Sequence, residues 1–101
     1  MQLYSVWLIF WYTDCMFYTY ILKCADDTLY VGSTTDIEKR LHQHNNLKSA
    51  AHYTKIRRPV TLVYSETFET LKECRAREVE IKKLSRKEKL ELVLRNKNKL
   101  V

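Results

Sequence analysis

Polar side chains interrupt the apolar face of a predicted helix near the middle of the chain. Ile37 and Leu41 mark one side of this helix as buried, because positions four apart share a face. Arg40 and His44 lie on that same face. A charge there is costly unless it is paired or faces a polar cleft. An arginine in such a cleft would suit a bidentate grip on phosphate.

A later helix shows the same anomaly at Glu78, which shares its face with Cys74 and Ile81. Mg²⁺ accepts one protein carboxylate when water and phosphate oxygens complete its coordination, so a lone glutamate is enough for a metal site. Two interpretations stay open. In one, Arg40 and Glu78 form a buried ion pair and His44 is a satisfied core residue. In the other, all three line a polar cleft, which we favour because local rules tend to fail at functional sites.

The elements that must position these groups begin with a hairpin. Segments 17–24 and 28–33 are rich in β-branched and aromatic residues, and Ala25-Asp-Asp27 between them is typical of a turn. A three-residue turn would pair Tyr20 with Gly32 and place Tyr20 and Tyr30 on one face, whereas a two-residue turn would place them on opposite faces. Gly32, within a strand, predicts a close approach by another group.

Capping boxes and a β-branched run predict the remaining elements. They are a helix from Thr35 to about Asn45, a polar basic stretch from Leu47 to Pro59, a strand 60–65, a helix from Thr70 to about Leu84 and a helix from Ser85 to about Asn96. The predicted fold is therefore α+β, a three-stranded antiparallel sheet flanked by helices in the order β-β-α-β-α-α.

Length and composition limit the classes of protein to consider. A chain of 101 residues has room for one domain, and its net charge of +6 favours polyanionic partners, nucleic acid before an acidic membrane surface. Cys15, Cys24 and Cys74 lack zinc-site spacing and are interpreted as buried thiols in a reducing compartment. Residues 1–15 form an apolar extension, or else cover an open surface of a domain spanning 16–101; their apolar run is too short to cross a bilayer.

Basic residues form two clusters that could contact phosphate without reading sequence. The predicted nucleic-acid-binding surface lies in the long loop and comprises Lys48, His52, Tyr53, Lys55, Arg57 and Arg58. The second cluster lies at the junction of the last two helices and comprises Lys82, Lys83, Arg86, Lys87 and Lys89. For the second cluster, a solvated helix face is an equally good explanation.

Four segments in order resemble the GIY-YIG nuclease superfamily, most closely its small stand-alone bacterial and viral members. Tyr18-Thr-Tyr20 and Tyr30-Val-Gly32 match the two signature tripeptides, although Tyr18 replaces a glycine. The helix with Arg40 and His44 matches the helix that carries the signature arginine, and the helix with Glu78 matches the one that carries the metal ligand. The resemblance spans about residues 17–93.

The resemblance implies phosphodiester cleavage with one Mg²⁺ or Mn²⁺ ion. Tyr30 matches the proposed general base, and Tyr20 would bond the scissile phosphate or assist that proton transfer. Arg40 would stabilise the developing charge, His44 would assist at the phosphate or the leaving group, and Glu78 would hold the metal. Ser33 stands where repair nucleases of the superfamily carry a lysine.

The leading hypothesis is a metal-dependent endonuclease acting on branched, damaged or single-stranded DNA, as in repair or recombination, with RNA as another substrate. The alternatives are a non-catalytic nucleic-acid-binding module with this fold and a small protein-interaction adaptor. A separate DNA-binding domain is not predicted, so targeting would come from the chain's own surface, a homodimer or a partner protein. We expect no membrane association, and a location in the cytoplasm, or the nucleus of a eukaryotic or viral host.

Overall fold

The computed structural model describes residues 16–100, with side chains described as far as residue 96. The predicted extension 1–15 lies outside this range. The elements are β1 (Phe17–Lys23), β2 (Leu29–Thr34), α1 (Ile37–Asn46), α2 (His52–Lys55), β3 (Thr61–Phe68), α3 (Leu71–Lys83) and α4 (Arg86–Leu100). The strands form an antiparallel sheet in the order β2-β1-β3. The α+β prediction is confirmed.

Two local features differ from the prediction. The stretch predicted as an irregular loop contains α2, a single helical turn, which is too short to give a periodic sequence signal. The N-cap residue of α1 is Asp36 rather than Thr35, because the Asp36 side chain accepts a hydrogen bond from the Lys39 N–H at 3.0 Å. The caps predicted at Thr70 and Ser85 are both present.

The hairpin has the predicted three-residue turn. The Asp27 N–H donates to the Cys24 carbonyl at 3.0 Å, and Asp27 itself has a φ of 67°. A type I turn followed by a left-handed residue is a common three-residue hairpin connection, and aspartate tolerates that conformation better than most residues. Tyr20 therefore pairs with Gly32, and the two tyrosines lie on one face of the sheet.

Helices cover both faces of the sheet. On one face, Ile21 and Val31 of the sheet pack with Ile81 of α3 and Val93 of α4. On the other face, Tyr20 and Leu22 form a second cluster to which Leu41 of α1 adds. Because β2 is an edge strand, side chains from α1 and α3 can meet beside it. Within residues 16–100, no helix is both long and apolar enough to cross a membrane.

Gly32 is required by the ring of Tyr20. A Cβ atom at position 32 would lie 2.5 Å from the Tyr20 hydroxyl oxygen and 2.7 Å from its Cζ. The close approach predicted from the sequence is thus made by a side chain of the neighbouring strand. Tyr20 is only 2% exposed, so its ring has little room to move away.

We predict that Gly32→Ala destabilises the fold by about 1–3 kcal/mol, because overpacking forces the Tyr20 ring to shift. Without that clash, alanine in a strand would stabilise by about 0.5–1 kcal/mol relative to glycine. Urea denaturation measures the change in unfolding free energy, and the sign of that change distinguishes these two expectations. Tyr20→Phe removes the nearest atom and should lessen the effect of Gly32→Ala, and a stabilising Gly32→Ala would contradict the packing argument.

Candidate active site

A cavity of about 410 Å³ lies beside the edge strand β2. Its wall combines side chains of both tyrosine-bearing strands, of α1 and of α3. The lining residues are Tyr20, Tyr30, Gly32, Ser33, Arg40, Arg75, Glu78 and Val79. Two guanidinium groups and one carboxylate make this wall net positive, which suits an anionic ligand.

Tyr20 contributes a phenol that is held in its protonated form. Burial raises its pKa to about 12, and the neighbouring Tyr30 acts in the same direction, while Arg40 opposes the shift. The Tyr20 hydroxyl lies 3.0 Å from His44 Nε2. Tyr20 is therefore suited to hydrogen bonding rather than to removing a proton from water.

His44 lies directly behind the two tyrosines and is 2% exposed. Burial lowers its pKa below the ordinary value, and the positive charges of Arg40 and Arg58 lower it further. Its ring stands edge-on to Tyr30, with 5.2 Å between ring centroids. The imidazole is thus a neutral partner for the phenols at neutral pH.

Glu78 reaches the cavity from α3, with 18% of its side chain exposed. Its Oε2 lies 2.7 Å from Lys82 Nζ. Burial would raise the pKa of Glu78, but Lys82 and the Ser33 hydroxyl outweigh burial and lower it, so the group is a carboxylate. Among residues 16–96, no ion pair joins Glu78 to Arg40. The ion pair of that alternative is therefore absent from these residues, but its second part is present, because His44 is a buried core residue with both ring nitrogens hydrogen-bonded and does not line the cavity.

Helix α2 supports the tyrosines from behind. The Tyr53 ring stacks on the Tyr30 ring with 6.0 Å between centroids, and the Arg57 guanidinium covers Tyr53 at 3.9 Å from its centroid. Arg57 Nε also bonds Asp26 in the hairpin turn at 3.1 Å. These contacts connect the basic stretch to the hairpin and hold Tyr30 in place.

The predicted basic loop residues do not line the cavity, and only Tyr53 touches its wall, through Tyr30. Lys48 and His52 are exposed, whereas Lys55 donates from Nζ to the Lys48 carbonyl at 3.1 Å. Arg58 donates from Nε to the His44 carbonyl at 2.6 Å and also bonds the Leu47 carbonyl. Arg58 thereby satisfies carbonyl groups at the end of α1 that have no helical partner.

Sequence reasoning missed three residues of this region. Arg75 lines the cavity from the same side of α3 as Glu78, and its spacing of three residues was the available signal. Ser33 was noted only as a departure from a family pattern, yet its hydroxyl faces Glu78. Thr54, fully buried behind His44, belongs to the segment His52-Tyr53-Thr54 that resembles the stand-alone family members, but its role gave no periodic signal because the helix that carries it is a single turn.

The residues of the cavity fit one loosely held divalent cation. Glu78 offers a carboxylate that already attracts the cationic Lys82, and the cavity has room for water and phosphate oxygens. In the part of the chain that the structure describes, no group of three or more His, Cys, Asp or Glu could enclose a metal. A single carboxylate with several waters is the usual protein ligation of Mg²⁺, whereas it does not suit a closed zinc site.

A family model described as the GIY-YIG catalytic domain matches residues 16–91. A UPF0213 protein from Syntrophus aciditrophicus is 52% identical over 83 residues, covering 82% of this chain and 95% of that one. A UPF0213 protein from Staphylococcus saprophyticus is 57% identical over 76 residues, covering 75% and 92%. A solution NMR structure of a UPF0213 protein from Bacillus halodurans has a TM-score of 0.51 at 41% identity, covering 77% of this chain and 82% of that one.

We predict that stability falls as the pH drops from about 8 to about 5, partly through His44. The pKa of His44 is lower in the folded protein than in the unfolded chain, where it is about 6.5. Below that pH the unfolded chain binds more protons, so acid favours unfolding. In His44→Gln the decrease of unfolding free energy with falling pH should be smaller. His42→Gln, at an exposed position, is the control; an equal pH dependence in wild type and His44→Gln would contradict the prediction.

Proposed function

The chain belongs to the GIY-YIG catalytic domain family, and we propose that it is an endonuclease that hydrolyses phosphodiester bonds in DNA with one divalent metal ion. The observation that carries this proposal is the convergence of Tyr20, Tyr30, Arg40 and Glu78 on one cavity of net positive charge. These groups come from two strands and two helices, and a purely structural ion pair would not require that arrangement.

The proposed roles follow from the state of each group. Tyr30 is the general base that takes a proton from the attacking water, since burial keeps the neighbouring Tyr20 protonated. Arg40, assisted by Arg75, stabilises the charge that develops on the phosphate. His44 supports the two phenols from behind.

Glu78 would hold one Mg²⁺ or Mn²⁺ ion. When bound there, such an ion supplies Lewis-acid stabilisation of a phosphate oxygen. The carboxylate is ionised, and it lies in an open polar cavity rather than among apolar side chains. Lys82 Nζ lies 2.7 Å from Oε2 of this carboxylate and would compete with the ion for that oxygen.

The loop beside the cavity is the proposed nucleic-acid surface. Lys48, His52 and Lys55 would contact phosphates, while Arg57 and Arg58 add positive charge and hold the loop through Asp26 and the end of α1. The Tyr53 ring contacts the ring of Tyr30 and the guanidinium of Arg57, yet 37% of the residue is exposed. Tyr53 would contribute this exposed part of its side chain to the nucleic-acid surface.

The biological setting is proposed from the same observations. Branched, damaged or single-stranded DNA would be cut in repair or recombination, with targeting by this surface, a homodimer or a partner protein, and with RNA as the other substrate to test. Cys24 and Cys74 are buried thiols, which supports a reducing compartment, the cytoplasm or a nucleus. The apolar extension 1–15 and the catalytic domain 16–101 are proposed as separate units.

The proposal is tested by cleavage of plasmid, branched and single-stranded DNA, and of RNA, with Mg²⁺ or Mn²⁺. Glu78→Gln and Tyr30→Phe should each lower the rate by about a hundredfold or more, because they remove the metal ligand and the base. A chelator should abolish cleavage. Glu80→Gln, an exposed position on the same helix, is the matched control and should cleave like wild type.

Equal cleavage by wild type, Glu78→Gln and Tyr30→Phe would overturn the mechanism. Salt-sensitive binding of DNA with no cleavage by wild type would favour the non-catalytic binding module instead.

Lys82 should compete with the metal for Glu78, so we predict that Lys82→Met tightens Mn²⁺ binding by about two- to fivefold, as expected from the loss of a partly exposed ion pair. Lys83→Met removes the same charge one residue away and controls for the general electrostatic effect. Isothermal titration calorimetry measures both affinities without a nucleic-acid substrate. Unchanged or weaker Mn²⁺ binding by Lys82→Met would show that Glu78 is not the site at which the ion and Lys82 exclude each other.

A further inference from the structure

A chain of buried hydrogen bonds runs from the cavity wall into the interior. The Tyr20 hydroxyl lies 3.0 Å from His44 Nε2, and His44 Nδ1 lies 2.7 Å from Thr54 Oγ1. Thr54 Oγ1 donates in turn to the Ala51 carbonyl at 3.0 Å. Thr54 is 0% exposed, so these side chains have no water to replace a lost partner.

Counting the available protons assigns the donor and the acceptor in each of these hydrogen bonds. A carbonyl oxygen only accepts, and a threonine hydroxyl has one proton to give. If that proton goes to Ala51, Thr54 Oγ1 is left as an acceptor, and His44 Nδ1 carries the proton that it receives. A neutral imidazole protonated at Nδ1 has a lone pair at Nε2, so the Tyr20 hydroxyl donates to His44.

The last group in this series of hydrogen bonds limits the role that the series can have. The Ala51 carbonyl has no proton to release, so the chain is not a path that carries protons to solvent. It can only fix an orientation. With its own proton directed at His44, Tyr20 cannot donate to a phosphate oxygen. Its oxygen can then only accept hydrogen bonds, one from the neighbouring Arg40 guanidinium and one from a water molecule in the cavity.

We propose that Thr54 is a positioning residue that holds His44 as its Nδ1–H tautomer, so that Tyr20 serves the reaction as an acceptor that orients the attacking water. The proposal rests on the nuclease function proposed above for its catalytic part, but the tautomer itself is a property of the protein alone. It revises the role expected for Tyr20 from the family resemblance, in which this phenol was a candidate donor to the phosphate. In this proposal the one-turn helix α2 contributes to the site by carrying Thr54.

The test is a comparison of Thr54→Val and Thr54→Ser with wild type. Valine has a similar shape to threonine but lacks the hydroxyl, whereas serine keeps it. The ¹⁵N shifts of the His44 ring report which nitrogen is protonated. We expect an Nδ1–H signature in wild type, its loss in Thr54→Val and its recovery in Thr54→Ser. Thr67→Val, at an exposed position of β3, is the matched control and should leave the ring unchanged.

Activity provides the second measurement. Thr54→Val should lower kcat on the best substrate by about tenfold or more with little change in KM, and Thr54→Ser should restore most of it. A wild-type His44 protonated at Nε2 would overturn the proposal, and so would an unaltered kcat in a folded Thr54→Val with a changed tautomer. The wild-type spectrum decides the tautomer even if Thr54→Val does not fold.

The outcomes separate this inference from the proposed function. If the tautomer behaves as expected but no form cleaves nucleic acid, the nuclease function fails and the catalytic role of Thr54 fails with it. If wild type cleaves but His44 is protonated at Nε2, only the role of Thr54 is overturned.

Discussion

The number of residues in the β1–β2 turn is the constraint on which the rest of the site depends. Three residues, with Asp27 in the left-handed region, pair Tyr20 with Gly32 and bring both tyrosines to one face. A shift of one residue would turn every side chain of the second strand to the other face. The Tyr20 ring then lies across Gly32, the one position where the strand has no side chain to obstruct it.

The cavity forms because the sheet is covered on both faces and ends at β2. Helix α1 contributes Arg40 from the tyrosine face, and α3 contributes Glu78 from the opposite face. Thr19 of β1 anchors α3 by donating to the Cys74 carbonyl at 2.8 Å, one helical turn before Glu78. The positive charges of Arg40 and Arg75 and the negative charge of Glu78 thus lie around one cavity. Among the described residues, no ion pair joins Glu78 to either arginine.

Burial determines the protonation states of the groups on the tyrosine face of the sheet. It keeps Tyr20 protonated and His44 neutral, so the contacts between them are uncharged hydrogen bonds in a fixed sequence. The short helix α2 then acts on both tyrosines, through Thr54 behind His44 and through Tyr53 behind Tyr30. Arg57 and Arg58 hold this helix against the hairpin turn and the end of α1.

The sequence by itself determined the strands, the three main helices and the residues that violate apolar stripes, because these features follow from local periodicity and turn chemistry. It therefore predicted that Arg40, His44 and Glu78 line a polar cleft, and Arg40 and Glu78 do line the cavity, whereas His44 is buried behind the tyrosines. Only the tertiary structure decided that Glu78 pairs with Lys82 rather than Arg40, and that Arg75, Ser33 and Thr54 belong to the site. Ser33 and Thr54 contact residues on other elements, which spacing along one helix or strand does not encode. Arg75 and Lys82 lie three and four residues from Glu78 on the same helix, so their spacing placed both near it, but only the packing of the helices decided that Arg40 stays apart from Glu78.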